Sequence, residues 1–133
     1  MGTAQSDKIQ QTTAIERALE IQRDAASIGF DWHEVTGALD KVLEEVRELK
    51  EALEKNNREQ SLDELGDLFF SLLNVVRFLD ADPLLCLERT NVKFQQRFDL
   101  VKKLAAEEAC DLKSCSDDRL DDYWERAKKL ASQ

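Results

Sequence analysis

Between residues 35 and 55, apolar positions recur every three or four residues. With Val42 set to zero and about 100° per residue, Val46, Leu49 and Leu53 fall within about 40° of it. The pattern predicts a helix from about Val35 to Lys55, stopped at Asn56-Asn57, with these residues as its core face. A second stretch behaves alike: Leu65, Phe69, Leu72, Val76 and Leu79 lie within about 40° of one direction. "SLDE" at 61–64 has the Ser-x-x-Glu pattern of a capping box, so this helix is predicted over 61–79. An earlier helix is predicted from about Lys8 to Ser27, broken at Gly29, and "FDWHEVTG" reads as a connector in which Trp32 and His33 either line a pocket or pack locally. "DADP" reads as a turn with Asp82 as cap and Pro83 at the first position of a fourth helix, which carries Leu87, Phe94, Phe98, Val101 and Leu104. The least regular stretch is 108–116, and a short last helix from Asp117 to Leu130 carries Trp124. No period-two pattern appears, so the class is all-α: residues 1–7 as a disordered lead, and 8–133 as one domain of four to five helices.

The third helix complicates that picture, because Phe70 lies at roughly 140° from Leu65, outside the main apolar stripe. A helix apolar over most of its circumference must be covered on more than one side. One small chain covers one side, and a second copy is the simplest cover for the other. A helical bundle completed by a homodimer, or by a dimer of dimers, is therefore expected.

Charge narrows the function. Lys and Arg number 19 against 28 Asp and Glu, a net charge of −9. Nucleic-acid binding, which needs cationic surface, is not expected. The polar start and the Asn74 and Arg77 that interrupt the longest apolar run give no sign of a leader or a membrane span, so no membrane partner is expected and the location reads as cytoplasmic. Three cysteines, Cys86, Cys110 and Cys115, make an odd count that points to reduced thiols, with Cys86 in the core. With His33 the only histidine, neither a zinc knuckle nor a Cys–His nucleophile is indicated.

The acids carry the candidate chemistry. On the second helix Glu45 falls at roughly 300°, between Ala52 and Ala38, with Glu48 at roughly 240°, while Glu44 and Glu51 fall on the far side. On the third helix Glu64, Asp67, Ser71 and Asn74 form a polar stripe between roughly 180° and 260°. Side by side, these helices bring Glu45, Glu48, Glu64 and Asp67 together. Four carboxylates repel unless cations neutralise them, and an oxygen-only set suits Mg²⁺ or Mn²⁺. The plainer alternative is that each border acid pairs with a neighbouring Lys or Arg; Lys41 lies on the side of Glu48 and is a candidate partner for it. Asn74 either touches a ligand or bonds a neighbouring helix.

"EEVREL" (44–49), "ELGDLFFSLLNVVRF" (64–78), "NVKFQQRF" (91–98) and "YWERAK" (123–128), in that order and spacing, resemble the MazG nucleoside triphosphate pyrophosphohydrolases over roughly residues 28–129. The resemblance implies Mg²⁺ held by Glu45, Glu48, Glu64 and Asp67. It implies Lys93 and Arg97 on the phosphates, with Trp124 and Lys128 also binding substrate. Trp124 would stack on a base or else anchor the last helix to the core. The implied reaction is hydrolysis of an NTP or dNTP to the monophosphate and pyrophosphate, by water attack at the α-phosphorus, with Glu48 as base beside Glu45. Alternatives are a narrower dUTPase-like or phosphoribosyl-ATP pyrophosphatase-like activity, or a non-catalytic helical dimerisation module. The resemblance also implies at least a dimer.

Overall fold

In the computed structural model, the backbone is described for residues 3–133 and the side chains for residues 14–133. Five helices follow in order: α1 (Thr3–Ser27), α2 (Val35–Glu54), α3 (Arg58–Phe78), α4 (Pro83–Glu107) and α5 (Asp117–Ala131). No strand occurs among the described residues, so the all-α class holds. α1 begins before the expected Lys8, and the expected lead over 1–7 lies outside the residues whose side chains are described. None of the described helices is long and apolar enough to cross a membrane. The chain falls into two compact units, Met1–Pro83 and Leu84–Gln133.

In the first unit α2 and α3 form a helical hairpin, with α1 packed on α3. The α2–α3 connection is short because Asn56 takes a left-handed conformation (φ 53°), and Asn57 then caps α3 by accepting from the Gln60 amide at 3.1 Å. This corrects the expected start at Ser61. The Ser61 hydroxyl donates to the Asn57 carbonyl at 2.7 Å instead of capping, and Glu64 stands against Glu45 and Glu48 rather than closing a capping box.

The packing corrects the expected core as well. The buried residues of the hairpin are Ala38, Glu45 and Ala52 on α2, with Ser61 and Ser71 on α3. The predicted apolar stripes are largely uncovered: Leu53 is 58% exposed and Phe69 62%, with Val46, Leu65, Leu72 and Leu79 also exposed. The helices therefore meet along their small and polar seams. Alanine and serine let two backbones approach closely, whereas Leu and Phe would hold them apart, so the acid-bearing sides are drawn inward.

The connector after α1 is fixed by two contacts. Gly29 turns it with φ +88°, and Trp32 lies so close over Gly37 that a Cβ there would sit 2.9 Å from the indole Cε3. Asp31 then accepts two bonds from Arg77 of α3, at 2.6 and 3.0 Å. This bidentate pair, which the sequence reading missed, ties the connector to the hairpin.

The second unit is built on Val101, Leu104 and Ala105 of α4 against Tyr123 and Ala127 of α5. α4 starts at Pro83 as expected, and Ser116 caps α5 by accepting from the Arg119 amide. Tyr123 is fully buried and donates its hydroxyl to Glu108, which also accepts from Arg126 at 3.1 Å. Two cysteine expectations are overturned. Cys110 and Cys115 are joined as a disulfide, because the turn between α4 and α5 folds back to bring their Cα atoms to 6.8 Å. Cys86 is exposed rather than in the core.

The Asp31–Arg77 pair yields a stability prediction. Arg77 holds the Asp31 carboxyl below its ordinary 3.8, chiefly through the hydrogen bonds. A depressed carboxyl contributes stability above its unfolded pKa and loses it as pH falls through the lower folded value. Asp31→Asn should therefore cost about 1.5–3 kcal/mol at neutral pH. In urea titrations that cost should shrink on acidification below 3.8.

Candidate active site

Two turns of α2 and one of α3 build the acid cluster. Glu45 and Glu48 are one turn apart on α2, and the hairpin sets Glu64 of α3 across from them. Carboxylate oxygens of all three lie within 4.8 Å of one another. Glu45 is only 4% exposed. Lys41, one turn before it, binds its Oε1 at 3.1 Å and reaches Glu44 at 3.3 Å. This corrects the expected Lys41–Glu48 pairing: at i+4 and i+3, Glu45 and Glu44 are the nearer partners on the helix surface.

One cation among three acids leaves the cluster under-compensated. Glu45 Oε2 and Glu64 Oε2 are buried without a hydrogen-bond partner. Burial, followed by the neighbouring Glu48 and Glu45 carboxylates, pushes the Glu64 carboxyl up to about 7. Without a cation, the site thus favours a proton on Glu64. Two orphaned carboxylate oxygens in an all-oxygen set are the donors that a hard divalent cation takes, so the residues fit Mg²⁺ or Mn²⁺.

The fourth expected acid stands apart. Asp67, nearly one turn beyond Glu64, is exposed and outside the 4.8 Å group. It lines, with Glu45 and Lys41, a neighbouring cavity of about 770 Å³. That volume is nucleoside-sized and falls within the ~300–1,000 Å³ of small-molecule pockets. The wall is mostly apolar, from Ile21, Phe30, Trp32 and Phe70, with Gln22, Asn74 and Arg77 as polar groups. Trp32 thus lines a pocket. The Asn74 Oδ1 accepts from Arg77 at 3.0 Å.

The expected phosphate and base ligands lie in the second unit. Lys93 and Arg97 share one side of α4, and Lys93 lines a shallow groove with Leu85, Arg89 and Val92. Arg97 stacks over Trp124 at 5.9 Å and has a buried Nε without a partner. Trp124 is packed at 5.5 Å from Phe94 and against the α4–α5 core. Lys128 is paired with Glu125 at 2.7 Å.

The family model of the MazG nucleotide pyrophosphohydrolase domain matches residues 33–106. The chain belongs to this MazG domain family. It is 39% identical over 115 residues to a nucleoside triphosphate pyrophosphohydrolase/pyrophosphatase MazG of Thermotoga maritima, covering 86% of this chain and 44% of that protein. To a nucleoside triphosphate pyrophosphohydrolase of Escherichia coli K12 it is 30% identical over 118 residues, covering 87% and 45% respectively. An uncharacterized Bacillus subtilis protein, YabN, is 39% identical over 66 residues, or 50% of this chain and 14% of that one. This MazG chain therefore spans less than half the length of these relatives. The MazG match includes the three clustered acids, Asp67, Asn74, Lys93 and Arg97, and ends before Trp124 and Lys128.

Sequence reasoning missed Gln22 and the Asp31–Arg77 pair. The only signal for the latter was Arg77 interrupting the apolar run three residues after Asn74.

The raised Glu64 carboxyl gives a signed prediction for the metal-free protein. A carboxyl whose folded value is raised favours the fold below its unfolded pKa, and that contribution is lost as pH rises through the folded value. With chelator present, the wild-type melting temperature relative to Glu64→Gln should fall as pH climbs from 4.5 to about 7. Added Mg²⁺ should restore the wild type and leave the variant nearly unmoved.

Proposed function

We propose that this MazG domain hydrolyses nucleoside triphosphates, ribo- or deoxyribo-, to the monophosphate and pyrophosphate, with Mg²⁺ as the physiological ion and Mn²⁺ as a substitute. The observation that carries this is the cluster of Glu45, Glu48 and Glu64 with its two buried, unpartnered carboxylate oxygens. The names of the Thermotoga and Escherichia coli relatives support the same reaction. Glu45, Glu48 and Glu64 would hold the ion, with Asp67 joining from the cavity side. When bound, the ion supplies charge neutralisation for the phosphates and Lewis-acid chemistry at their oxygens.

The remaining work falls to the chain's own groups. Lys41 keeps the Glu45 carboxylate fixed in place. Glu48 is the proposed general base, drawing a proton from water as it attacks the α-phosphorus. Glu45 assists by orienting that water. Lys93 and Arg97 are the proposed phosphate ligands, stabilising charge on departing pyrophosphate. Asn74 is proposed to contact substrate within the cavity. Trp124 and Lys128 are proposed to contribute to substrate binding, Trp124 by its indole and Lys128 by its ammonium. Direct water attack is favoured over a covalent intermediate. The two buried serines of the hairpin both donate to backbone carbonyls, Ser61 to Asn57 and Ser71 to Asp67 and Leu68, and neither has a base at its hydroxyl.

Product analysis with each common NTP and dNTP tests the reading. Pyrophosphate and monophosphate should form with Mg²⁺ and stop with excess EDTA. Glu45→Gln should keep the helical fold and lose at least the ~10–100-fold that even outer partners of a metal ligand are worth. Orthophosphate as product, or undiminished turnover in EDTA, would refute it, and a wholly inactive chain that binds no Mg²⁺ in calorimetry would favour a helical scaffold.

We further propose that a second copy of this chain covers the open apolar stripes, giving a homodimer or a dimer of dimers. The exposed Leu43, Val46 and Leu53 on α2, continued by Leu65, Phe69 and Leu72 on α3, support this. So many exposed large apolar side chains on two adjacent helices are unusual on a monomer. Sedimentation from high to nanomolar concentration should show no folded monomer, and Phe69→Glu should dissociate or unfold the assembly. A stable, active monomer on dilution would refute it.

A further inference from the structure

We propose that Gln22 reads the nucleobase: its Oε1 accepts a hydrogen bond from the exocyclic amine of an adenine- or cytosine-type base held in the cavity beside the acid cluster. The inference rests on the reading above for the ligand being a nucleotide. It goes further in naming the residue and the base edge.

Gln22 lies on α1, is 4% exposed, and lines the cavity together with Glu45 and Asp67. A long polar side chain so deeply placed needs partners for its amide, since an unmet buried polar atom is costly. Only half of the amide has one. Its Nε2 donates to the Phe70 carbonyl at 2.9 Å, and its Oε1 is buried with no partner. The Phe70 carbonyl also fixes which way the amide faces, because a flipped amide would set oxygen against oxygen. One N–H of Nε2 is taken by Phe70, and the amide atom left wholly without a partner is the acceptor Oε1.

An unmet buried acceptor distinguishes bases. At the position where cytosine and adenine carry an amine, uracil and hypoxanthine carry a carbonyl oxygen. The amine would satisfy Oε1, whereas the carbonyl would repel it and leave two acceptors unmet. Penalties of that kind are what make a hydrogen-bonding pocket selective. The cavity also contains the complementary group. Arg77 has both terminal nitrogens held by Asp31 and Asn74, and its Nε–H is buried without a partner. That fixed donor suits a ring nitrogen or carbonyl elsewhere on the nucleoside. Trp32 and Phe70 supply apolar faces for the ring itself.

Product nucleotides separate this proposal from the activity, because they report on the cavity whether or not turnover occurs. Calorimetry with Mg²⁺ should show the wild type binding CMP and AMP about tenfold or more tightly than UMP and IMP, the worth of one hydrogen bond plus one relieved repulsion. CMP should also bind more tightly than its analogue lacking the 4-amine, a comparison that needs no variant. Gln22→Met preserves length and packing while removing the acceptor. It should weaken CMP and AMP, leave the amine-less analogue unchanged, and erase the preference in kcat/KM between CTP and UTP. Equal wild-type binding of CMP, UMP and the amine-less analogue, or a preference that survives in a folded Gln22→Met, would overturn the assignment even if pyrophosphate release is normal. Conversely, failure to release pyrophosphate would count against the reaction and not against base selection by Gln22.

Discussion

Everything at the candidate site depends on one constraint: α2 and α3 meet on their small and polar seam. Ala38 and Ala52 on one helix, with Ser61 and Ser71 on the other, permit close approach at both ends of the hairpin. Glu45 lies midway between the two alanines and so is carried into the seam, with Glu48 beside it and Glu64 opposite. The acids are not placed there for their own stability. Three carboxylates with a single lysine are mutually repulsive, and the strain appears as a proton favoured on Glu64 and two oxygens without partners. A divalent cation, as proposed, would relieve both at once. The seam is thus a stored electrostatic demand, held in place by small residues that have no chemistry of their own.

The same geometry explains why the hairpin displays so much apolar surface. A helix that turns its polar side inward turns its Leu and Phe side outward. The buried acid site and the open stripe of Val46, Leu53, Leu65 and Phe69 are two consequences of one choice of face. Site chemistry and self-association are for this reason coupled in the proposal: covering the stripe is what makes an inward-facing acid cluster affordable.

Around the seam, the connector and α1 complete a nucleoside-sized cavity. Its floor is shared with the acids through Glu45 and Asp67, and its polar groups are pinned by neighbours instead of being free to adapt. Asp31 and Asn74 hold Arg77, and the Phe70 carbonyl holds Gln22. Pinned groups lose little freedom when a ligand arrives, so they favour selection over promiscuity.

Sequence periodicity by itself determined the helices, their approximate ends, and the fact that Glu45, Glu48 and Glu64 share sides distinct from the Leu–Val stripes. Pro83 and the irregular 108–116 stretch were legible because proline and turn residues act locally. The motif order was enough to indicate the MazG family. What periodicity could not tell was which side of a helix meets its neighbour. Hydrophobicity favoured Val42, Val46, Leu65 and Phe69 as the core, yet the hairpin closes on Ala38, Ala52, Ser61 and Ser71, because distance of approach depends on side-chain size in both helices at once. Asn57 displaced Ser61 as the cap for a similar reason, since the tight turn at Asn56 fixes where α3 begins. Gln22, the Asp31–Arg77 pair and the Cys110–Cys115 bond were equally hidden. Each joins residues that are unremarkable in the linear chain, and only the folded arrangement of the groups around them decides whether they have a partner.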